Sequence, residues 1–506
     1  MMQACLQIMA FGDRTTSSAK HEMKGDRTSS SVEAHADISP ARPGEKPDHG
    51  RRSLRGNWRR GIIMKLNTKR TMLIGLAFLS ICAFWQTYDN IIPLMLQNTF
   101  GMRETVTGVL MAMDNVLAVF LLPFFGALSD RTNTRFGRRM PFIAVGTACA
   151  VAFYLLIAAA DRKGSLALFL IALFGALISM GLYRSPAVAL MPDLTPNIYR
   201  SRANAIINLM GTVGAVYALV MIRLLSGRTD AATGRTDYFP LFGSVAVLMA
   251  AAVAVLALTI HEKKVSAQVN REIAAYKASG APDADAVQPL DAPGEAADSE
   301  RKPMAPEVKR SMTFLLLSIF FWFTAYNAVT TAFSRYAVKV WNMQNGGYAS
   351  CLLVATLAAV AAYVPIGHLS SKLGRKKVIF FGIALLILCY AVASFVTGFA
   401  FWLNIMFAII GIGWASINVN SYPMVVEMSR GADIGKFTGT YYTFSMAAQI
   451  FTPIFSGFLL EHVSYRTLFP YAVVFSCIAF LTMTQVKHGD VKPEKRKGIE
   501  NFDTEE

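Results

Sequence analysis

The chain is 506 residues long, 54% hydrophobic and only 16% charged, with a mean hydropathy of +0.39. A soluble domain carries about 25% charged residues, so this composition excludes an ordinary soluble enzyme and favours a membrane protein. The net charge of +16 does not mark a nucleic-acid binder, because Lys and Arg fall in short loops and tails between apolar runs. Cys82, Cys149, Cys351, Cys389 and Cys477 lie inside those runs, without metal spacing or a disulfide framework, and read as small helix-packing residues. No cofactor or metal site is expected.

Residues 1–63 are polar and lack the apolar core of a signal peptide. Met64 is followed by Lys65, Lys69, Arg70 and the first apolar run, so either translation begins at Met64 or residues 1–65 form a disordered tail. Apolar runs recur at 72–96, 105–128, 140–160, 166–191, 203–225 and 239–260. Each is long enough to span a bilayer. A polar linker over 263–310 follows, with one surface helix expected near Val265–Ala278. Six more runs lie at 312–333, 347–369, 377–398, 400–424, 436–460 and 468–486, before a tail over 488–506. Loops rich in Lys and Arg alternate with poorer ones, which predicts twelve spans with both termini cytoplasmic. The expectation is an all-α, monomeric, multi-pass protein of the plasma membrane, with halves at 66–262 and 311–487.

The second run ends in Pro123-Phe-Phe-Gly-Ala-Leu-Ser-Asp-Arg-Thr-Asn-Thr-Arg-Phe-Gly-Arg-Arg139, where the span is expected to stop at Gly126. The loop then gathers Asp130, Arg131, Arg135, Gly137, Arg138 and Arg139. Small Gly126 lets a neighbouring helix approach, and Asp130 can cap a helix start and pair with an arginine. A topogenic basic loop accounts for the arginines but not for the paired glycines and the aspartate. The pattern Gly-x-Leu-x-Asp-Arg, then Gly-Arg-Arg, resembles the signature loop between the second and third helices of major facilitator superfamily transporters. The resemblance implies a contact that gates the carrier, forming in one conformation and breaking in the other.

The halves echo each other. Phe84-Trp-Gln-Thr-Tyr-Asp-Asn90 resembles Phe321-Trp-Phe-Thr-Ala-Tyr-Asn327, and the loop opened by Gly126 has a worn copy in Gly367-His-Leu-Ser-Ser-Lys-Leu-Gly-Arg-Lys-Lys377. Phe239-Pro240 and Phe469-Pro470 open the sixth and twelfth spans. Three echoes in matching order argue for a duplicated six-helix unit, which places a substrate site near the midplane between halves that rock about it.

Asp89 and Asp114 sit inside the first and second spans, and Arg184 lies about two turns before the end of the fourth. Each such charge costs about 2.5–3.5 kcal/mol at a helix centre, so the three should face a wet cavity or one another. A buried ion pair that only fixes packing is one reading. A carboxylate that takes up a proton when Arg184 moves away is the other, since burial favours the neutral acid and a cation the ionised one. Trp85, Tyr88, Asn90, Asn115, Asn204, Asn208, Trp322, Tyr326, Asn327, Trp414, Asn418, Ser445 and Gln449 add polar and aromatic groups on the same spans. Singly, each amide reads equally as interhelical glue and each ring as packing. Together they suit a neutral polyhydroxylated solute, with amides on hydroxyls and indole faces on the C–H side of a sugar ring.

Asp-Arg-Thr-Asn-Thr-Arg-Phe-Gly-Arg-Arg-Met-Pro-Phe142 resembles the loop of the sucrose-transporter and glycoside–pentoside–hexuronide:cation symporter groups. Tyr183-Arg-Ser-Pro-Ala-Val-Ala-Leu-Met-Pro-Asp-Leu-Thr195, then Arg202-Ala-Asn-Ala205, is similar to the fourth-to-fifth-helix segment of sucrose transporters. The resemblance implies proton-coupled uptake of a disaccharide or glucoside such as sucrose or maltose. By position Asp193 matches a carboxylate with a coupling role there, although Val188 stands where plant and animal members carry arginine. The rival readings are a sodium-coupled or efflux carrier of another solute, and a non-transporting membrane sensor. An enzyme is disfavoured, because no nucleophile–base pairing, metal spacing or phosphate loop is present.

Overall fold

The computed structural model describes residues 66–227, 236–279, 287–290, 305–428 and 434–490. The expected N-terminal tail, most of the linker beyond residue 279 and the tail after 490 lie outside these residues. Among the described residues, twelve helices are long and apolar enough to cross a membrane. In the first half they are α1 (Thr68–Asn98), α2 (Glu104–Arg131), α3 (Met140–Lys163), α4 (Leu166–Asp193), α5 (Arg200–Leu225) and α6 (Phe239–Thr259). Helix α7 (Glu262–Ala278) follows in the linker. The second half comprises α8 (Pro306–Lys339), α9 (Tyr348–Leu373), α10 (Arg375–Phe395), α11 (Leu403–Met428), α12 (Ile434–His462) and α13 (Leu468–Thr484). Every expected run is a helix, and α7 covers the expected surface helix.

One expected boundary is wrong. Helix α2 does not stop at Gly126 but continues to Arg131, ending where Thr132 turns extended (φ −87°, ψ 131°). Nothing between them breaks a helix, and the Ser129 hydroxyl donates back to the Gly126 carbonyl at 3.0 Å. Asp130 consequently sits in the last turn of α2, where the helix dipole disfavours an anion. It is held there by an ion pair with the buried Arg139 guanidinium. The cap at the start of α3 comes instead from Glu262, whose carboxylate accepts the backbone N–H groups of Arg138 (2.8 Å), Arg139 (2.9 Å) and Met140 (3.2 Å).

The second half repeats this arrangement. Arg139 bonds Asp193 at the end of α4 (2.8 Å), and Arg375 bonds Glu427 at the end of α11 (2.6 Å). Glu262 lies just after α6 and Asp490 just after α13, and Asp490 accepts the N–H of Lys376 at 3.2 Å. Gly137 (φ +113°) and Gly374 (φ +96°) take left-handed backbone at the same turn of each loop, where a Cβ would meet the Glu262 and Asp490 carboxylates at 2.2 and 2.8 Å. The echo between loops therefore extends to their carboxylate partners. Helix α7, which begins at Glu262, rests its Val269 and Ile273 with Val287 against Ile198 and Tyr199, on the short segment joining α4 to α5.

These clasps lie at the end where the linker runs, here the linker end. At the opposite, far end the halves are joined to each other. The Arg335 Nε donates to Glu104 Oε2 at 2.9 Å across the interface, with the two side chains 4% and 5% exposed. The Glu461 carboxylate accepts the Thr105 N–H at 2.8 Å, and Tyr465 joins the Lys339 ammonium to Gln97. Gly108 lets α2 and α12 touch backbone to backbone, since a Cβ there would lie 2.0 Å from the Pro453 carbonyl oxygen.

Removing one member of a buried pair leaves the other charge stranded, typically at a cost of about 3–5 kcal/mol, whereas replacing both is far milder. Glu104→Gln is expected to lower the thermal unfolding midpoint in detergent more than the Glu104→Gln, Arg335→Met double variant does. Equal losses would mean the pair does not hold the far end. Glu262→Ala should cost about 1–3 kcal/mol by stranding the three N–H groups, and Glu262→Gln less, because its amide oxygen still accepts. Thermal unfolding of the two variants checks that order.

Candidate functional site

Helix α1 runs through the middle of the bundle, packed against α5 and α6 in its own half and α8 in the other. Trp85 and Asp89 are one turn apart and lie on one face of it. Both line a cavity between the halves, below the far-end closure. Helix α2 adds Met111, Asp114 and Asn115 to the wall, and α4 adds Arg184. The second half contributes Asn327, Thr330 and Thr331 from α8, with Gln449 and Pro453 from α12.

The three charged groups at bilayer depth thus line one space, and all belong to the first half. Asp114 accepts from both the backbone N–H and the side-chain amide of Asn115, each at 2.6 Å. The Arg184 guanidinium lies 6.0 Å from the centroid of the Trp85 ring, near enough for a cation–π contact. The facing wall is neutral: Thr330 and Thr331 donate to the Asn327 carbonyl, and Gln449 donates to Ser445. Trp85 Nε1 and Asn327 Nδ2 are buried donors with no hydrogen-bond partner among the described residues.

A second cavity shares Asp89, Asn327 and Thr330 with the first. It extends from Gln86 and Asn90 on α1, past Tyr326 on α8, to Thr356 on α9. The Asn90 amide donates to the Gln86 carbonyl at 2.8 Å, leaving its Oδ1 without a partner among the described residues. The Tyr326 ring is stacked on Trp414 at 3.7 Å between centroids and 10° between planes.

Of the residues singled out from the sequence, nine line these spaces: Trp85, Asp89, Asn90, Asp114, Asn115, Arg184, Tyr326, Asn327 and Gln449. The others lie elsewhere. Tyr88 is buried between Phe84 and Trp85, and Trp322 is closed in the second half's core. Trp414 supports Tyr326 from behind, and Asn418 is buried a turn further along α11. Asn204 and Asn208 are on α5 and line neither cavity. Asp193 is at the linker end, held by Arg139 at 2.8 Å and Arg138 at 3.7 Å. In the loop itself Gly126 brings α2 against Ser185 of α4, and Arg131 points out exposed. Sequence reasoning missed Gln86, Thr330, Thr331 and Thr356. Threonine is common in spans, where its hydroxyl usually bonds its own helix, so nothing in spacing marks those that face a cavity.

No curated protein matches the chain. Among solved structures it is similar to a mutant of the nucleoside transporter NupG, at 16% identity, with a TM-score of 0.57 and coverage of 83% of this chain and 100% of that one. It is also similar to the inward-open xylose transporter XylE from E. coli, at 16% identity and a TM-score of 0.57, covering 82% and 94% of the two chains. Tetrameric PepTSo2 matches at 13% identity and a TM-score of 0.58, with 83% and 96% covered. At such identities the likeness is one of fold. The sequence profile described as Major Facilitator Superfamily matches residues 74–363 and 347–503, which take in all twelve spans. The chain belongs to the Major Facilitator Superfamily of membrane transporters.

Proposed function

We propose that the protein is a secondary carrier that takes up a sugar, a disaccharide or glucoside of the sucrose or maltose kind, together with a proton. The observation that carries this reading is the cavity in which Asp89, Asp114 and Arg184 of one half face the neutral hydrogen-bonding wall of Asn327, Thr330, Thr331 and Gln449 of the other. A polyhydroxylated solute offers donors and acceptors to both walls, and the Trp85 ring supplies an apolar face for its C–H side. Coupling follows from electrostatics. Closing the site withdraws the Asp89 and Asp114 carboxyl groups from water, which favours their neutral, protonated form, so a proton accompanies the solute. The linker end faces the cytoplasm of a plasma-membrane protein in this reading, so the described state is closed to the outside. Relatives in fold named for xylose, a nucleoside and proton-dependent oligopeptide transport fit a solute carrier of this type. Asp193, engaged by the loop arginines, serves as an anchor of the gate formed by Asp130, Gly137 and Arg139.

Uptake of radiolabelled disaccharides and glucosides into proteoliposomes, under a pH gradient or a sodium gradient imposed separately, tests the function. Accumulation is expected under the inward proton gradient. Accumulation under sodium alone overturns proton coupling, and binding without flux favours a sensor. Asp114→Asn and Asp89→Asn are each expected to abolish uphill accumulation while retaining counterflow, because the neutral amide mimics the protonated acid. Uphill transport by both variants would place coupling elsewhere. Asp130→Asn should slow transport several-fold with insertion unchanged, and an unaltered rate would remove the loop from the gate.

A further inference from the structure

From residue 279 to 305 the linker is polar, and Val287 and Leu290 are its only branched aliphatic residues. The structure gives both a place. Val265, Val269 and Ile273 recur every four residues and form one stripe along α7. Ile198 and Tyr199, on the turn joining α4 to α5, pack against the same cluster. Val287 is fully buried in it, and Leu290 packs at its edge. The main chain is held as well. The Gln288 N–H donates to Asn197 Oδ1 on the turn at 3.3 Å, and the Leu290 N–H donates to Asn270 Oδ1 on α7 at 3.0 Å. Pro289 stands between those donors, exposed, and has no N–H of its own to satisfy. Each wall of this groove thus offers an apolar surface and one amide oxygen.

We propose that α7 and the α4–α5 turn form a peptide-binding groove, that its occupant is the chain's own Val287–Leu290, and that this strap keeps Asp193 within reach of the loop arginines. The route from strap to loop is short. Asp193 closes α4, and Asn197, which the strap engages, opens the short helical turn that follows. Arg200 reaches back from the start of α5 to the Pro192 carbonyl at 3.2 Å, so the turn moves as one piece. The other wall is tied to the same loop, because α7 begins at Glu262, whose carboxylate holds the N–H groups of Arg138, Arg139 and Met140. The strap therefore joins the two supports of Arg139, Asp193 by way of the turn and Glu262 by way of α7. Residues 279–286 tether it to α7, which keeps its effective concentration at the groove high and lets it reseat after release. Withdrawing the linker from the groove loosens the hold on Asp193. The linker is then a point of control over the loop, whatever solute is carried.

Hydrogen–deuterium exchange on the purified full chain tests this without any solute, so the outcome is independent of the sugar and proton readings. The Gln288 and Leu290 amides are expected to be protected in the unaltered protein. Val287→Asp should speed their exchange at least ~10-fold, the factor in equilibrium that burying a valine represents. It should also speed exchange across residues 194–199 by ~3-fold or more, because strap and turn open as one unit. Asn270→Ala, on the wall opposite the turn, should act on both segments in the same direction and less strongly, and it decides the question if Val287→Asp fails to fold. Val287→Ile, which keeps the aliphatic contact, should leave both segments within about twofold of the unaltered protein. Unprotected Gln288 and Leu290 amides in the unaltered protein overturn the strap as occupant of the groove. Faster exchange in the strap with 194–199 unchanged in both variants overturns its hold on the turn and on Asp193.

Discussion

The arrangement depends on a buried charge pair that belongs to neither half alone. Arg335 and Glu104 come from different six-helix units and are almost fully withdrawn from water. Neither charge is tolerable alone at such burial, so the two units must meet at the far end for both to be satisfied. The cavities lie directly beneath that contact, and their existence as a space closed on one side follows from it. Glycines at the same level, Gly108 above all, let the backbones of α2 and α12 touch. The closure is therefore close-packed as well as paired.

Charge is distributed unequally between the units. Among the described residues lining the cavity, the charged groups Asp89, Asp114 and Arg184 come from the first, and the amides and hydroxyls that face them from the second. Asp89, Asp114 and Arg184 all come from helices of the same half. The aromatic stack of Tyr326 on Trp414 gives the opposite wall a flat, unyielding surface.

Much of the fold was legible in the chain, because bilayer-length apolar runs leave few alternatives and every one became a helix. Within the site, Asp89, Asp114 and Arg184 were legible for the same reason: a charge in lipid needs an explanation. Trp322, Trp414, Asn204 and Asn208 were not separable from true lining residues, since periodicity tells which residues share a face but not whether that face meets water or another helix. The carboxylates that brace the loops were invisible for a different reason. Glu262 and Asp490 lie 123 and 114 residues from backbone groups they accept, in polar stretches where an acidic residue is unremarkable. The end of α2 was misjudged because a small residue was taken for a stop, although no backbone signal followed it.

The position of those carboxylates has a consequence for how the protein is made. The turn at Gly137 emerges from the ribosome early, yet the group that fixes it arrives only with Glu262, after α6 is complete. Asp490 likewise reaches Gly374 only once α13 has been synthesised. Each bundle is locked by its own final residues, so a truncated or wrongly inserted bundle leaves the loop unfastened. Assembly is checked once per half, at the moment the last helix of that half is in place.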